Sequence, residues 1–233
     1  MPNKPSDRMT LERQRRDQLI LTVTRKLLLE QGPEGLSMQA IAKQTEYSKG
    51  TIYQHYRCKE DVIAKLVSLS GARLVALFDV VIGRQISLRH KVMLISAVFF
   101  MNAQQQPEVS SLVSMVKSPQ FQNKLSVENQ QAIAELDSAI LSRIVSLFAD
   151  DADFDCQKVK DAAFGWWAMK WGVQNVLLNE WETDKLGFHQ PLEFFFRSLH
   201  VFLDGLNVQQ DAQCDDWSVI QMQGQEIVNQ YSV

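Results

Sequence analysis

The feature that most restricts the fold of this 233-residue chain is an apolar repeat with helical spacing that recurs almost from end to end. Between residues 11 and 31, for example, apolar side chains return every three or four positions, which places them on one face of a helix. The alternating Val, Ile and Thr pattern that is typical of strands does not occur. Only ten Gly and six Pro interrupt the chain. These patterns predict an all-α protein.

The bounds of the predicted helices follow from this repeat and from residues that begin or end helices. Helix 11–31 should stop at Gly32-Pro33, and two short helices should follow Ser37 and Ser48, both of which are good N-caps. The remaining predicted helices cover residues 59–83, 88–106, 107–119, 126–149, 155–179 and 191–206, with a last helix after Asp215.

Charge is distributed unevenly along the chain. The first 65 residues contain twelve Lys and Arg against eight Asp and Glu, whereas the remaining residues contain twelve against nineteen. A basic N-terminal part on an acidic body indicates that only the N-terminal part approaches a polyanion.

Several classes of protein are disfavoured by the sequence. It has no run of about 18 apolar residues that could span a membrane, and the N-terminus lacks the apolar segment of a secretory signal. The cysteines Cys58, Cys156 and Cys214 are scattered and odd in number, which argues against a disulfide framework and a zinc site. We therefore expect a cytoplasmic protein with no metal, no cofactor and no membrane partner.

The two short helices predict a helix-turn-helix, because they are joined by three or four residues and flanked by a helix on either side. The second of them would enter the major groove of DNA. Gly50 would allow the backbone to approach DNA closely, while Lys49 and Thr51 could reach base edges or phosphates. Ile52 and Tyr56 should point inward and pack against the preceding helix.

The segment "GPEGLSMQAIAKQTEYSKGTIYQHYRCKEDVIAKLV" resembles the DNA-binding head of the tetracycline-repressor (TetR) family of bacterial regulators. The similarity extends over residues 13–69, and the rest of the chain agrees only in being helical and of the expected length. The matching positions are Gly32, Ser37, Ile41, Ala42, Ser48, Gly50, Thr51, Ile52, Tyr53, His55, Lys59 and Glu60.

The resemblance implies an N-terminal three-helix helix-turn-helix head and a C-terminal helical bundle. We assign residues 1–9 to a disordered N-terminus, 10–69 to the DNA-binding domain, and 70–233 to a domain for dimerisation and effector binding. Two departures from the family pattern have structural consequences. Glu46 stands where Gly is usual, which costs about 1 kcal/mol if the backbone there is left-handed. Tyr56 replaces Phe, so its hydroxyl needs a partner.

The resemblance also implies the residues of three sites. The expected DNA contacts are Ser37, Tyr53, His55 and Lys59 to phosphates, Gln39, Lys49, Gly50 and Thr51 to base edges, and Ser48, although Ser37 and Ser48 could equally be helix caps. The candidate effector-binding residues are Phe99, Phe100, Met101, Met115, Trp166, Met169 and Trp171, each of which could instead be ordinary core. The candidate dimer-interface residues are Trp167, Phe195, Phe196, Leu199 and Phe202, for which core packing is again the alternative.

Known catalytic motifs, such as GxSxG, HExxH, a P-loop and GxGxxG, do not occur in the sequence, so we do not expect an enzyme. The pattern predicts a homodimeric, sequence-specific transcriptional repressor that a small apolar or aromatic effector releases from palindromic double-stranded operator DNA. Two alternatives are a constitutive DNA-binding regulator and a helical interaction protein, both without a small-molecule effector.

Overall fold

The computed structural model describes residues 5–178 and 190–231, and within these ranges it contains helices and no strand, as the sequence predicts. No helix in these ranges is both long enough and apolar enough to cross a membrane. The helices are α1 (Pro5–Gly35), α2 (Met38–Thr45), α3 (Lys49–His55), α4 (Lys59–Ile82), α5 (Leu88–Gln105), α6 (Pro107–Ser110), α7 (Val113–Val116), α8 (Pro119–Gln122), α9 (Val127–Ala149), α10 (Cys156–Leu178), α11 (Pro191–Gly205) and α12 (Trp217–Gln230), with a 3-10 turn at Ala212–Cys214.

The observed helices differ from the predicted ones in two places. Residues 5–9, expected to be disordered, form the first turns of α1, where Pro5 occupies a position that favours helix initiation; residues 1–4 lie outside the described ranges. Segment 107–119, predicted as one helix, forms the separate turns α6 and α7. As predicted, the first long helix is interrupted at Gly32, whose φ of 66° leaves the helical region. Asn179, the predicted end of the helix that begins near residue 155, lies outside the described residues.

The chain divides into two compact units. The first contains residues up to Ser70 together with Gln106–Glu135, and the second contains Gly71–Gln105 together with the chain from Leu136 onward. The predicted DNA-binding domain, 10–69, is therefore only part of the first unit. The contribution of 106–135 was not predicted, because its contacts with α1 join residues far apart in the sequence, such as Arg25 and Gln106.

The first unit is held together by an apolar cluster to which both of its segments contribute. Ile20, Ile41 and Ile52 come from α1, α2 and α3, and Val109 and Val116 come from the second segment; all are fully buried. A partly buried polar contact also joins the segments, because Arg25 on α1 donates a hydrogen bond of 2.6 Å to Oε1 of Gln106. Residues of the turns α6 to α8 thus belong to the same apolar core as the short helices α2 and α3.

The second unit is built around α5, whose side chains from Arg89 to Asn102 are all buried except that of Lys91. Helix α12 packs along it so closely that a Cβ on Gly224 would lie 2.9 Å from the Cβ of Ala97. Arg89 is fully buried and donates hydrogen bonds to the backbone oxygens of Val208 and Gln209, at 2.8 and 3.0 Å. These bonds fix the chain that follows α11.

Candidate nucleic-acid interface

The starts of α2 and α3 are capped by serine side chains. The Ser37 Oγ accepts a hydrogen bond of 3.1 Å from the backbone N–H of Ala40, and the Ser48 Oγ accepts one of 3.1 Å from that of Thr51. Capping satisfies backbone donors that have no partner inside the helix. In this state the capping interpretation of Ser37 and Ser48 holds, while both side chains remain exposed.

The turn between α2 and α3 passes through Glu46, which adopts the left-handed conformation with φ 60° and ψ 17°. Glycine adopts this conformation without cost, whereas other residues lose roughly 1 kcal/mol. The strain predicted from the sequence is therefore present. The left-handed conformation of Glu46 ends α2 at Thr45 and lets α3 begin four residues later.

The inward face of α3 is fixed by one aliphatic side chain and one tyrosine hydroxyl. Ile52 is fully buried, and Tyr56 is 7% exposed. The Tyr56 hydroxyl donates a hydrogen bond of 2.7 Å to Oδ1 of Asp17 on α1. Burial, and then the hydrogen bond to Asp17, raise the pKa of Tyr56 above its ordinary value, so the hydroxyl remains a donor. Both inward orientations agree with the sequence prediction.

The outward face of α3 brings together several of the predicted DNA-contacting residues. Lys49 and Tyr53 are exposed, and the Lys49 Nζ donates a hydrogen bond of 3.1 Å to Oε1 of Gln39 on α2. Thr51 lies between them in sequence and shares a hydrogen bond of 2.9 Å with Ser48. Amide, ammonium and hydroxyl groups on one exposed surface form a set suited to base edges and phosphates.

Gly50 lies in the middle of this outward face. A Cβ at this position would meet nothing closer than the Ser48 Oγ, at 3.7 Å. The packing of the protein itself therefore does not require glycine here, although glycine weakens a helix by roughly 1 kcal/mol relative to alanine. A molecule that approaches the α3 backbone from outside would account for the glycine.

Two of the predicted phosphate ligands, His55 and Lys59, point elsewhere. The His55 side chain is only 7% exposed, and its Nδ1 lies 3.5 Å from Oδ1 of Asp17. The Lys59 Nζ donates a hydrogen bond of 3.1 Å to the backbone oxygen of Pro33. Both residues thus join α1 to the segment around α3, a role that sequence reasoning missed because the partners are 26 or more positions away.

Asp61 is a further supporting residue that no local motif marks. Its Oδ1 accepts hydrogen bonds of 2.9 Å from the Ser126 backbone N–H and from the Asn129 side chain. Burial by itself would raise the pKa of this carboxyl, but these hydrogen bonds and the nearby Arg57 lower it overall. Asp61 therefore fixes the start of α4 against the start of α9.

The candidate effector residues do not form one group. Phe99, Phe100, Met101, Trp166 and Met169 belong to the apolar cluster of the second unit, whereas Met115 packs in the first unit. Trp171 is half-buried and stacks on Trp167, with ring centroids 6.0 Å apart. The Trp166 indole is nearly fully buried and donates a hydrogen bond of 2.8 Å to the Ser96 hydroxyl. The sequence pattern did not separate these environments.

Three of the predicted dimer-interface residues, Phe195, Phe196 and Leu199, are instead buried within the second unit. Their side chains are covered by residues of the same chain, so in this structure they are not free to contact a partner. Trp167 is exposed, and Phe202 is half-buried against Gly165, where an added Cβ would clash with its ring at 2.6 Å.

An exposed aromatic surface lies on the same two helices. Phe164 is 67% exposed and Trp167 is 40% exposed on α10, and Val201 is 72% exposed on α11. The rings of Phe164, Trp167 and Trp171 follow one another at about 6.0 Å. Their spacing of three and four residues puts them on one helix face. The sequence shows this spacing but does not show that the face is exposed, because the opposite face of α10 is apolar too.

Groups of three or more His, Cys, Asp or Glu that could hold a metal ion do not occur in the part of the chain that the structure describes.

Residues 20–66 match the model of the family described as bacterial regulatory proteins, tetR family. A search of curated proteins finds no match to this chain.

Solved structures of regulators share the fold. FadR from Bacillus subtilis, solved in complex with stearoyl-CoA, is 16% identical over 81% of this chain and 98% of its own, with a TM-score of 0.60. PfmR from Thermus thermophilus is 17% identical over 79% of this chain and 97% of its own, with a TM-score of 0.58. The regulatory protein SCO4313 is 17% identical over 88% of this chain and all of its own, with a TM-score of 0.67.

Proposed function

Because the chain is a transcriptional regulator that belongs, through its N-terminal domain, to the tetR family of bacterial regulatory proteins, we propose that it represses transcription from a near-palindromic operator. The observation that carries this proposal is the outward face of α3, where Lys49, Gly50 and Tyr53 are exposed while Ile52 holds the helix in place. A recognition helix needs this combination of a fixed inner face and a free polar outer face.

Within the proposed interface the residues have different roles. Gln39 and Lys49, already hydrogen-bonded to each other, turn outward to base edges, and Thr51 adds a hydroxyl. Tyr53, Ser37 and Ser48 contact phosphates, and Gly50 lets the duplex approach the backbone. His55 and Lys59 support the interface through their contacts with α1, and in the orientation observed they do not contact DNA.

The test begins with selection of binding sequences from a pool of random duplexes. We expect enrichment of a near-palindrome with half-sites separated by a helical turn or a multiple of it, since two α3 helices read it together. Failure to enrich any duplex would overturn the proposal and favour a helical interaction protein. Gly50→Ala should bind the selected duplex more weakly and unfold at the same temperature or higher, which separates an effect on DNA from an effect on folding.

Homodimerisation is proposed to use the aromatic surface of α10 and α11, formed by Phe164, Trp167, Trp171, Val201 and the edge of Phe202. Large exposed apolar surfaces on a folded protein mark association sites. A second copy of the same face would cover these side chains, and one short recognition helix alone would read too few bases for a specific operator.

The effector is proposed to bind in the second unit between α5 and α10. The Trp166 indole lies against Ser96, and four residues later the Lys170 Nζ lies 4.2 Å from the Phe99 ring centre. These two contacts move towards the C-terminus of both α10 and α5. We infer that one further turn places Gln174 on α10 opposite Asn102 on α5. Both amides are at least 94% buried, and their side-chain oxygens have no hydrogen-bond partner.

Buried oxygens without partners cost roughly 1–3 kcal/mol each, and a ligand that donates hydrogen bonds would recover this energy. We therefore specify the small apolar or aromatic effector further: it carries a hydrogen-bond donor beside its apolar body. Stearoyl-CoA in the FadR complex also joins an apolar chain to a polar group. Dodecanol should raise the melting temperature more than methyl dodecyl ether, and Gln174→Leu should abolish that difference. Equal shifts in the wild-type protein would contradict this donor requirement.

A further inference from the structure

We propose that the first turns of α1 form a second DNA-binding element, which contacts the phosphate backbone beside the recognition helix. This inference rests on the proposed operator binding and extends it to a surface outside the helix-turn-helix. The partner is the sugar-phosphate backbone of the same duplex, and the contacting groups are the guanidinium side chains of Arg8 and Arg13, which line one groove.

The protein's own packing does not explain this part of α1. From Arg8 to Arg16 no side chain is buried. The hydrogen bond to Tyr56 is made one residue later, by Asp17, and the first fully buried residue is Ile20. A helix without a buried face gains little from tertiary packing. Its observed intrahelical support includes the exposed pair of Arg16 and Glu12, at 3.3 Å, which contributes at most a few tenths of a kcal/mol.

The charge of the segment favours a polyanion. Arg8, Arg13 and Arg15 are exposed, and none of the three has an ion pair or side-chain hydrogen bond among the described residues. A helical rise of 1.5 Å per residue separates the groove residues Arg8 and Arg13 by about 7.5 Å along the axis, which is enough to reach more than one phosphate along a strand. Guanidinium groups bind phosphate oxygens in a bidentate manner.

The position of the segment is what connects it to the duplex. Arg8, Arg13 and Arg16 line a groove of about 690 Å³ whose opposite wall is formed by Gln54 and His55. These two residues directly follow Tyr53, whose ring is exposed on the recognition face. A helix inserted in the major groove is flanked by the phosphates of both strands. A phosphate strand passing the end of α3 would therefore run along this groove.

The experiment compares Arg8→Gln/Arg13→Gln with a control, Arg84→Gln/Lys91→Gln, which removes the same charge from the second unit. Binding of the full-length protein to a labelled random-sequence duplex is measured by fluorescence anisotropy at several salt concentrations. The α1 variant should bind more weakly, and its plot of log Kd against log salt should be shallower by about one for each lost phosphate contact. The control should follow the wild-type protein.

A second variant tests the same idea in the opposite direction. Glu12→Gln removes a carboxylate from the groove and releases Arg16, so affinity should rise for all duplexes by a similar factor. An unchanged salt dependence in the α1 variant, or an equal loss in the control, would overturn this inference while leaving operator binding intact. A wild-type protein that binds no duplex would overturn the proposed function itself.

Discussion

The two neighbouring tyrosines of the helix-turn-helix illustrate how residues of one type acquire different roles from burial. Tyr53 is 54% exposed on the recognition face, whereas Tyr56 is 7% exposed and hydrogen-bonded to Asp17. The first is available to a phosphate, while the second helps to fix the helix on which the first is carried. Two residues that are three positions apart within a helix would share a face. Because α3 ends at His55 and Tyr56 has an extended backbone, the two side chains point to different sides.

Substitution of these two tyrosines should separate DNA binding from stability. Tyr53→Ala removes an exposed side chain, so we expect weaker binding to all duplexes with little change in the unfolding midpoint. Tyr56→Phe removes a hydrogen bond to a carboxylate and should lower the free energy of unfolding by about 1–3 kcal/mol. Anisotropy and urea titration measure the two effects. A large stability loss in Tyr53→Ala would contradict the assignment.

The carboxyl of Asp61 should make the first unit sensitive to acid. Its pKa is lowered in the folded protein, so its contribution to stability is present above the unfolded pKa of about 3.9 and is lost as the pH falls through the folded value. Asp61→Asn should therefore destabilise the protein by about 1–3 kcal/mol at pH 7 and by much less below pH 3. Urea unfolding at both pH values, with the exposed Asp150→Asn as control, measures this difference. An equal loss at both pH values would show that the charge is unimportant.

Helices α10 and α11 have apolar side chains on two opposite sides. Leu199 and Phe196 face the core of the second unit, while Val201 faces outward. On α10, Trp166 is buried and the adjacent Trp167 is exposed. Such helices cannot satisfy both faces within one chain, which is why their exposed side is proposed as the dimer interface.

Charge introduced on each side of these helices should therefore have different consequences. Val201→Glu or Trp167→Glu should give folded monomers in sedimentation and greatly weaken operator binding, because two linked α3 helices are needed. Phe196→Glu buries a carboxylate in the core and should unfold the second unit. Circular dichroism distinguishes the two outcomes. Dimers with unchanged mass in both surface variants would place the interface elsewhere.

Features that depend on neighbouring residues could be predicted from the sequence, whereas contacts between residues distant in sequence could not. Helix capping and the left-handed turn involve only residues a few positions apart. They could therefore be predicted at Ser37, Ser48 and Glu46. The partners of His55 and Asp61 are distant in sequence and were not predicted. Periodicity found the helices but could not decide which side of α10 and α11 faces the core, since both sides are apolar.

Regulation by an effector requires that the second unit influence the recognition helix. The chain offers two continuous connections, because α4 and α9 each begin in the first unit and end in the second. A continuous helix transmits a displacement without requiring the hydrogen-bonded backbone to break. We infer that effector binding shifts α4 and changes the separation of the two α3 helices in the dimer.

This model of regulation predicts reciprocal coupling between effector and operator. A ligand can shift the dimer only if it prefers the conformation that does not fit the operator, and linkage then requires operator DNA to weaken ligand binding by the same factor. Quenching of the five tryptophans by an active ligand, with and without saturating operator, measures that factor. Coupling of 5- to 150-fold corresponds to about 1–3 kcal/mol. If every ligand that binds does so equally well in the presence of operator, the protein is a constitutive DNA-binding regulator.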